Sequence, residues 1–514
     1  MAVQKPDTQR IAAAILVSIL IPSLTASLMS AASAPSAQDD QFIIAMLSDV
    51  HISQGSGMSL LHSLLGGDDG ADPLATVNSA VQEISALHPD MVVVCGDLVL
   101  DARASRPADA RAAFQLFNQS MTPIILAGIP FYPVLGNHDV SGVLNAGVNG
   151  TESGYGRGAF LDSFRLSSSY YSFDLGGYHF VVLDPNSYEL WSASSGGSRY
   201  RIDGEQMAWL HRDLNATTRP AIVFLHEPTV DLINRQELLD ALSVHDVLMI
   251  FSGHWHINDL ISQGAIAEQV TSALCGSWWT GEDLSAEPGG YRIIACNGSN
   301  VDSFYRYACQ SRQINIVEPD PPLIQGSLNI TAQIWSDRPV EAVRLSLDGN
   351  LTQEMNLTRQ GLWYEAKKTV NLAGLPRGYH RAEVTAQDEQ GHFSRELSFK
   401  ISDETALSIS EIISHRQTYL GKHITIRGRI EDYCDLSLID EGMQPVLRDG
   451  TGSIPLVLKG CPALPEDSST QWLAEGQLQR YSLKGMYSGM LLRADGLCPQ
   501  PPSATQATFL SSPE

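Results

Sequence analysis

The chain has 514 residues, 43% hydrophobic and 18% charged, with a formal charge of -24. Its length is about three times that of an average domain, and its composition excludes a disordered or generally membrane-embedded chain. Residues 39–312 hold 31 acidic residues against 13 arginines and no lysine; this disfavours broad nucleic-acid backbone binding and requires a concentrated local cation for any anionic substrate.

At the front, Lys5 and Arg10 precede an apolar run from Ile11 to about Leu28. Small residues follow, and Ala32-Ser33-Ala34 or Pro35-Ser36-Ala37 fits a cleavage site. Residues 1–37 are therefore expected to be a signal peptide, or an N-terminal anchor if cleavage does not occur. The protein is then secreted or otherwise extracytoplasmic, and held at the cell surface in the anchored case. Seven N-x-[S/T] sequons, at Asn118, Asn149, Asn215, Asn297, Asn329, Asn350 and Asn356, agree with an exported glycoprotein. Seven cysteines permit disulfides there, but the number is odd and the connectivity stays open; Cys95 reads as a buried free thiol.

Phe42–Leu47 is the first apolar strand and ends at Ser48-Asp49. Leu74, Val77, Val81, Ile84 and Leu87 recur at helical spacing, and Met91–Cys95 is a continuous apolar strand of the doubly buried kind. A helix over 107–120, strand Phe131–Leu135, and a hairpin of Tyr170–Asp174 with Tyr178–Leu183 follow. A helix over 204–214, strand Ala221–Leu225, a helix near 234–243 and strand Val247–Phe251 continue the alternation. This pattern predicts an α/β layered domain, with its site on the loops at the strands' carboxyl ends.

Those ends carry the chemistry. The five strands finish in Asp49-Val50-His51, Gly96-Asp97, Gly136-Asn137-His138-Asp139, His226, and Gly253-His254-Trp255-His256. Any one of these is ordinary as a surface loop, but five in succession after five buried strands point to a site. Mixed His, Asp and Asn donors without thiolate suit Mn, Fe, Zn or Co. A pair of such ions bridged by one carboxylate polarises a phosphoryl oxygen, and it supplies the local cation that the lysine-free surface lacks.

In order and spacing these motifs resemble the calcineurin-like metallophosphoesterases, over about residues 41–312. The resemblance implies mixed β-sheets flanked by helices and two divalent or trivalent metal ions. Asp49, His51 and His256 would hold one ion; Asn137, His226 and His254 would hold the other, with Asp97 bridging. His138 would act as general acid beside the leaving group, and Asp139 would hydrogen-bond His138 and fix its orientation. The implied reaction is in-line attack of a metal-bound hydroxide on a phosphoester. Leu100 stands where purple acid phosphatases place a tyrosine, and Asp139 where secreted nucleotidases usually have Glu, so the branch that includes cyclic-nucleotide phosphodiesterases fits better. Trp255, Trp278 and Trp279 are candidates to line the substrate mouth. Arg157, Arg199 and Arg201 read as phosphate contacts or as solvated loop residues.

Two small all-β units are expected behind this domain. Short alternating runs over 315–402 predict an immunoglobulin- or fibronectin-like β-sandwich after a stiff linker at Pro319, Pro321 and Pro322. Residues 405–498, with Asp449-Gly450-Thr451-Gly452 between two strands, resemble an OB-fold barrel, and residues 499–514 read as a disordered tail. Arg427, Arg429, Arg448 and Tyr433 are its candidate basic patch. The expected activity is hydrolysis of a small phosphodiester or phosphomonoester, a cyclic nucleotide among them. The expected partners are that substrate and cell-surface contacts through the β units, with membrane contact only through an uncleaved anchor and nucleic acid disfavoured. Two rivals stand beside this: an exported nuclease steered by the OB-like unit, and a non-enzymatic surface-binding glycoprotein.

Overall fold

The computed structural model of the chain describes residues 41–53, 73–187, 200–261, 266–277, 284, 287–318, 323–324, 326–402, 406–436, 443–458, 470–483 and 487–500. The predicted export segment, Arg199, Trp278, Trp279, the three linker prolines and Cys461 lie outside them. Among the described residues, no helix is long and apolar enough to cross a membrane.

The first half alternates as its sequence predicts. In order come β1 (Phe42–Leu47), α1 (Pro73–Leu87), β2 (Met91–Cys95), α2 (Pro107–Ser120), α3 (Thr122–Leu126), β3 (Phe131–Val134), α4 (Gly158–Phe164), β4 (Tyr171–Leu175), β5 (Tyr178–Val182), α5 (Gly204–Asn215), β6 (Ala221–Phe224), α6 (Arg235–Ser243) and β7 (Val247–Ser252). Four further strands complete the unit: β8 (Asp259–Ile261), β9 (Glu268–Val270), β10 (Gly290–Asn297) and β11 (Asn300–Tyr307). They form two mixed sheets, ordered β11-β10-β1-β2-β3 and β4-β5-β6-β7-β9-β8.

The continuous apolar runs have a direct cause. Ile44, Met46, Met91 and Val93 from one sheet share a buried core with Phe180, Val182, Phe224 and Phe251 from the other. The opposite face of the first sheet, through Ala45, Val92 and Val94, packs on Val77, Val81, Phe114 and Phe117 of the helices. Each strand is therefore covered on both sides. The parallel neighbours β1-β2-β3 and β5-β6-β7 bring their carboxyl ends to one rim of this two-sheet stack. At that rim the five motifs meet.

The second half is all β. Strands β12 (Arg312–Glu318), β13 (Leu323–Ile324), β14 (Ser327–Ser336), β15 (Ala342–Leu347), β16 (Leu351–Glu354), β17 (Asn356–Gln360), β18 (Trp363–Asn371), β19 (Gly378–Asp388) and β20 (Gly391–Ile401) make a four-stranded and a five-stranded sheet. Both contribute to one core, with Ile330, Ile334, Val343, Val384 and Phe399 at its centre. Two short helices, α7 (Ile409–Ser414) and α8 (Arg416–Tyr419), then lead into a closed barrel. Its strands β21 (His423–Asp435), β22 (Met443–Arg448), β23 (Ser453–Leu458), β24 (Gln471–Leu483) and β25 (Tyr487–Gln500) run in the order β21-β22-β23-β25-β24. The expected tail starts two residues too early: Pro499 and Gln500 pair with Trp472 and Gln471, because β24 needs partners for its whole length.

The β units are packed on the first unit, not strung behind it. Phe304 of β11 lies 6.0 Å from the Trp335 ring and 5.8 Å from that of Trp363, both from the two-sheet unit. Tyr379 of that unit stacks on His415 at 4.0 Å, just before the barrel. Among the expected patch residues, Arg427, Arg429 and Arg448 are exposed. Arg448 and Arg429 are register partners across β21 and β22.

Candidate metal centre

Backbone conformation is the first sign that the rim is built for a purpose. Asp49, His51, Asp97, His254 and His256 all have φ between 44° and 68°, a region that only a few per cent of non-glycine residues occupy, Asp and His more often than most. Such conformations cost about 1–3 kcal/mol each and persist only where surrounding contacts over-determine them. Three glycines make room for the result. A Cβ on Gly96 would lie 2.2 Å from His226 Nδ1, one on Gly136 would lie 2.2 Å from Asp97 Oδ1, and one on Gly253 would lie 1.9 Å from Ser48 Oγ.

The side chains converge. Asp49 Oδ1 lies 3.3 Å from His256 Nε2, and His51 Nε2 lies 3.3 Å from the same His256 nitrogen. Asp97 Oδ2 is 3.6 Å from His51 Nε2 and 3.1 Å from His226 Nε2. Donor atoms of Asp97, His226 and His254 lie within 4.8 Å of one another, as do those of His51, Asp97 and His138. Asp97 belongs to both groups, which is where a bridging carboxylate has to be. Asn137 follows β3, is fully buried, and has no hydrogen-bond partner at either Oδ1 or Nδ2. A buried amide with nothing to bond is costly, and coordination through its oxygen would remove half of that cost.

Backbone carbonyls fix the ring orientations. Nδ1 of His226 is 2.8 Å from Cys95 O, and Nδ1 of His256 is 2.7 Å from Gly276 O. Each ring thereby directs Nε2 toward the carboxylates, the arrangement that orients metal-ligating histidines. Asp49 Oδ2 accepts hydrogen bonds from Ser48 Oγ at 2.5 Å and from the His254 N–H at 3.0 Å. Burial alone would raise the Asp49 carboxyl, but the facing His226 and His256 outweigh it and hold it at about 2. Asp97 is likewise held well below the carboxylate range against its burial, chiefly by His226 and His138. Both carboxylates are ionised. Anionic Asp, imidazole nitrogen and an unbonded amide make a donor set that suits borderline divalent or trivalent ions, so the residues fit the expected pair of metals.

His138 and Asp139 require a correction. Asp139 does not hold His138. Its Oδ1 accepts from the N–H groups of Leu98 and Val99 at 3.0 and 3.3 Å, and its Oδ2 from that of Gly136 at 2.9 Å. The Asp139 carboxylate therefore staples the loop after β2 to the loop after β3. His138 is oriented instead by Leu100 O, 2.9 Å from its Nδ1, while its own N–H donates to Asp97 Oδ1 at 2.8 Å. The tight three-residue turn 137–139 forces this exchange, because it aims Asp139 inward beneath its own loop.

Trp255 is also displaced from its expected role. It is 3% exposed and buried among Val230, Ile257, Ile261 and Val270, away from any mouth. Arg157 is spent on the buried Asp184 carboxylate and the Asn186 carbonyl, and Arg201 is an exposed loop residue. One residue escaped the sequence reading altogether. Cys275 is buried, its Sγ lies 3.7 Å from His256 Nδ1, and it groups with His51 and His256. In the sequence it stood only as a disulfide candidate, and nothing local to it marks its position.

Comparison with known proteins follows this geometry. Residues 42–258 match the family model described as calcineurin-like phosphoesterase. The chain is similar to the serine/threonine-protein phosphatase CPPED1 of Bos taurus, with 29% identity over 259 residues, covering 47% of this chain and 75% of the relative. The Homo sapiens protein of the same name is 26% identical over 258 residues, covering 46% and 74%. Among solved structures, one titled "GAP50 the anchor in the inner membrane complex of Plasmodium" aligns with 16% identity and a TM-score of 0.32, over 52% of this chain and 84% of that one.

Proposed function

Taking residues 42–258 as a calcineurin-like phosphoesterase domain, and hence a metal-dependent phosphoester hydrolase, we propose that the chain is an exported dinuclear-metal phosphoesterase acting on a small phosphodiester or phosphomonoester. The observation that carries this reading is Asp97, whose carboxylate lies in two of the three donor groups at the rim, one with His51 and the other with His226 and His254. Asp49, His51 and His256 would hold one ion, and Asn137, His226 and His254 the other. When bound, the pair supplies Lewis acidity toward phosphoryl oxygens and a water that is acidic near neutral pH.

The protein's own residues do the rest. The carbonyls of Cys95 and Gly276 keep the two histidine rings from turning, so the donor set is preorganised and costs little to assemble at reaction. Leu100 O accepts a hydrogen bond from the Nδ1–H of His138, so in the doubly protonated ring Nε2 is the nitrogen that can give its proton to the departing alkoxide, leaving neutral His138 with its remaining hydrogen on Nδ1. The Asp139 staple holds the His138 and Asp97 loops in one geometry. With no lysine between Lys5 and Lys367, phosphate recognition in this domain falls to the metals and to arginine.

Two features support the finer parts of the reading. Six of the seven sequon asparagines are exposed and Asn118 is half-buried, as glycosylation of an exported chain requires. The relatives named serine/threonine-protein phosphatase favour a second substrate class, the phosphoserine or phosphothreonine side chain of a protein. A panel of mono-, di- and cyclic phosphoesters plus a phosphoserine peptide, assayed with full-length Mn²⁺-loaded protein, separates these. A small-ester preference supports the first reading and a peptide preference the second. No turnover of any member sinks both. N-terminal sequencing and glycosidase treatment of the protein from the medium test export.

A further inference from the structure

Among the described residues, the barrel touches the first unit at the back of a metal-ligand loop and, beside it, where the Arg480 N–H of β24 donates to Leu284 O at 3.0 Å. The Arg493 guanidinium of β25 lies 4.5 Å over the Trp255 ring. His423 Nε2 of β21 is 2.9 Å from Asp259 Oδ1, and Gln477 Nε2 of β24 donates to Asn258 O at 3.2 Å. Residues 255, 258 and 259 are thus gripped from behind by three barrel strands. Trp255 separates His254 and His256, whose φ angles of 68° and 53° are held only by what packs around them. Its indole N–H donates to Asp231 Oδ2 at 2.6 Å, tying the same loop to the chain that follows His226.

Burial makes this contact more than a surface touch. Arg493 is 4% exposed and Trp255 is 3% exposed, so the cation and the ring meet away from water, where their attraction is strongest. Arg493 meets this loop at Trp255, while His423 and Gln477 meet it at Asp259 and Asn258, so the barrel acts on the two histidines through the loop that carries them.

We propose that Arg493 is a positioning residue: by stacking on Trp255 it holds His254 and His256 in ligating geometry, and the barrel serves as a clamp on the metal centre. The proposal rests on the dinuclear phosphoesterase reading for its consequence in turnover, but its direct readout is metal binding. Supports of this kind typically change metal affinity by about 10-fold or more.

The test is calorimetric titration of Mn²⁺ into chelator-stripped full-length protein, with thermal unfolding of the metal-free form alongside. Wild type, Arg493→Met, Arg493→Lys and Tyr379→Phe are compared; the last loosens the barrel's contact with the two-sheet unit, far from the loop. Arg493→Met is expected to weaken Mn²⁺ binding about 10-fold, with unfolding no lower than in Tyr379→Phe. Arg493→Lys recovers most of the affinity, and Tyr379→Phe binds as wild type. Affinity in Arg493→Met within about twofold of wild type, or an equal loss in Tyr379→Phe, overturns the proposal. If Arg493→Met does not fold, His423→Gln decides: weaker Mn²⁺ binding supports the clamp and unchanged binding overturns it. Wild type that binds Mn²⁺ but hydrolyses nothing sinks the phosphoesterase reading alone.

Discussion

Gly96 and His226 are in contact so close that no side chain fits between them: a Cβ on Gly96 would sit 2.2 Å from His226 Nδ1. The same glycine has φ +81°, so it turns the chain into Asp97 and at once lets the His226 ring lie against Cys95 O. A single residue thereby places two donors from two different sheets.

Gly96→Ala should therefore fail twice. Forcing an L residue into the left-handed region costs about 1–2 kcal/mol, and the added methyl pushes His226 off its carbonyl. Thermal unfolding should move down, and Mn²⁺ binding should fall further than unfolding alone explains. Normal Mn²⁺ affinity in a folded Gly96→Ala protein would contradict this packing.

His138 is expected to matter most where the leaving group needs a proton. General acids of this type contribute about 10²–10⁴-fold. His138→Ala should slow phenyl phosphate esters far more than p-nitrophenyl esters, whose leaving group departs unaided. Equal losses on both would remove His138 from the acid role.

Asp139→Asn distinguishes a loop staple from a direct partner of His138. The amide can accept only at its oxygen, so at least one of the three backbone N–H bonds to Leu98, Val99 and Gly136 is lost. Stability should fall by about 1–3 kcal/mol, and the leaving-group dependence should stay that of the wild type. A changed leaving-group dependence at unchanged stability would restore a direct link to His138.

A pH effect on stability is expected from His179, remote from the metal centre. Its Nδ1 lies 2.8 Å from Asp174 Oδ1 and its Nε2 2.8 Å from Asp213 Oδ2, so both ring nitrogens face carboxylates. Burial would lower its pKa, but the bonds to Asp213 and Asp174 outweigh it and raise it above the ordinary value. The sign follows: the contribution is complete below about pH 6.5 and is lost as pH rises through the higher folded value. Urea unfolding between pH 5.5 and 9 should show this decline in wild type and a flatter profile in His179→Gln. Parallel profiles would contradict it.

Much of this molecule is legible in its residues, for identifiable reasons. Strands β1, β2, β6 and β7 are buried on both faces, so their apolar runs stand out, and the donors sit immediately after them. Helix α2 begins at Pro107 and matches its predicted span, because proline marks its first turn. The hairpin of β10 and β11 was not legible: β11 is half-exposed along its first four residues and earns its place only by pairing with β10 and covering Trp335 and Trp363. The Asp139 bonds, the Cys275 thiol and the seat of Trp255 were equally hidden. Each depends on a partner tens to hundreds of residues away, which no local pattern encodes.

Asp97 is where the account can be tested most directly. Metal content and Mn²⁺ stoichiometry of full-length wild type and Asp97→Asn, measured alongside hydrolysis of bis-p-nitrophenyl phosphate, give the answer. Two ions per wild-type chain are expected, with one or none in the variant. Turnover should fall by about 10³-fold, the rate equivalent of the several kcal/mol that paired metals supply. Wild type holding a single ion, or Asp97→Asn retaining two ions and full turnover, would contradict the dinuclear phosphoesterase.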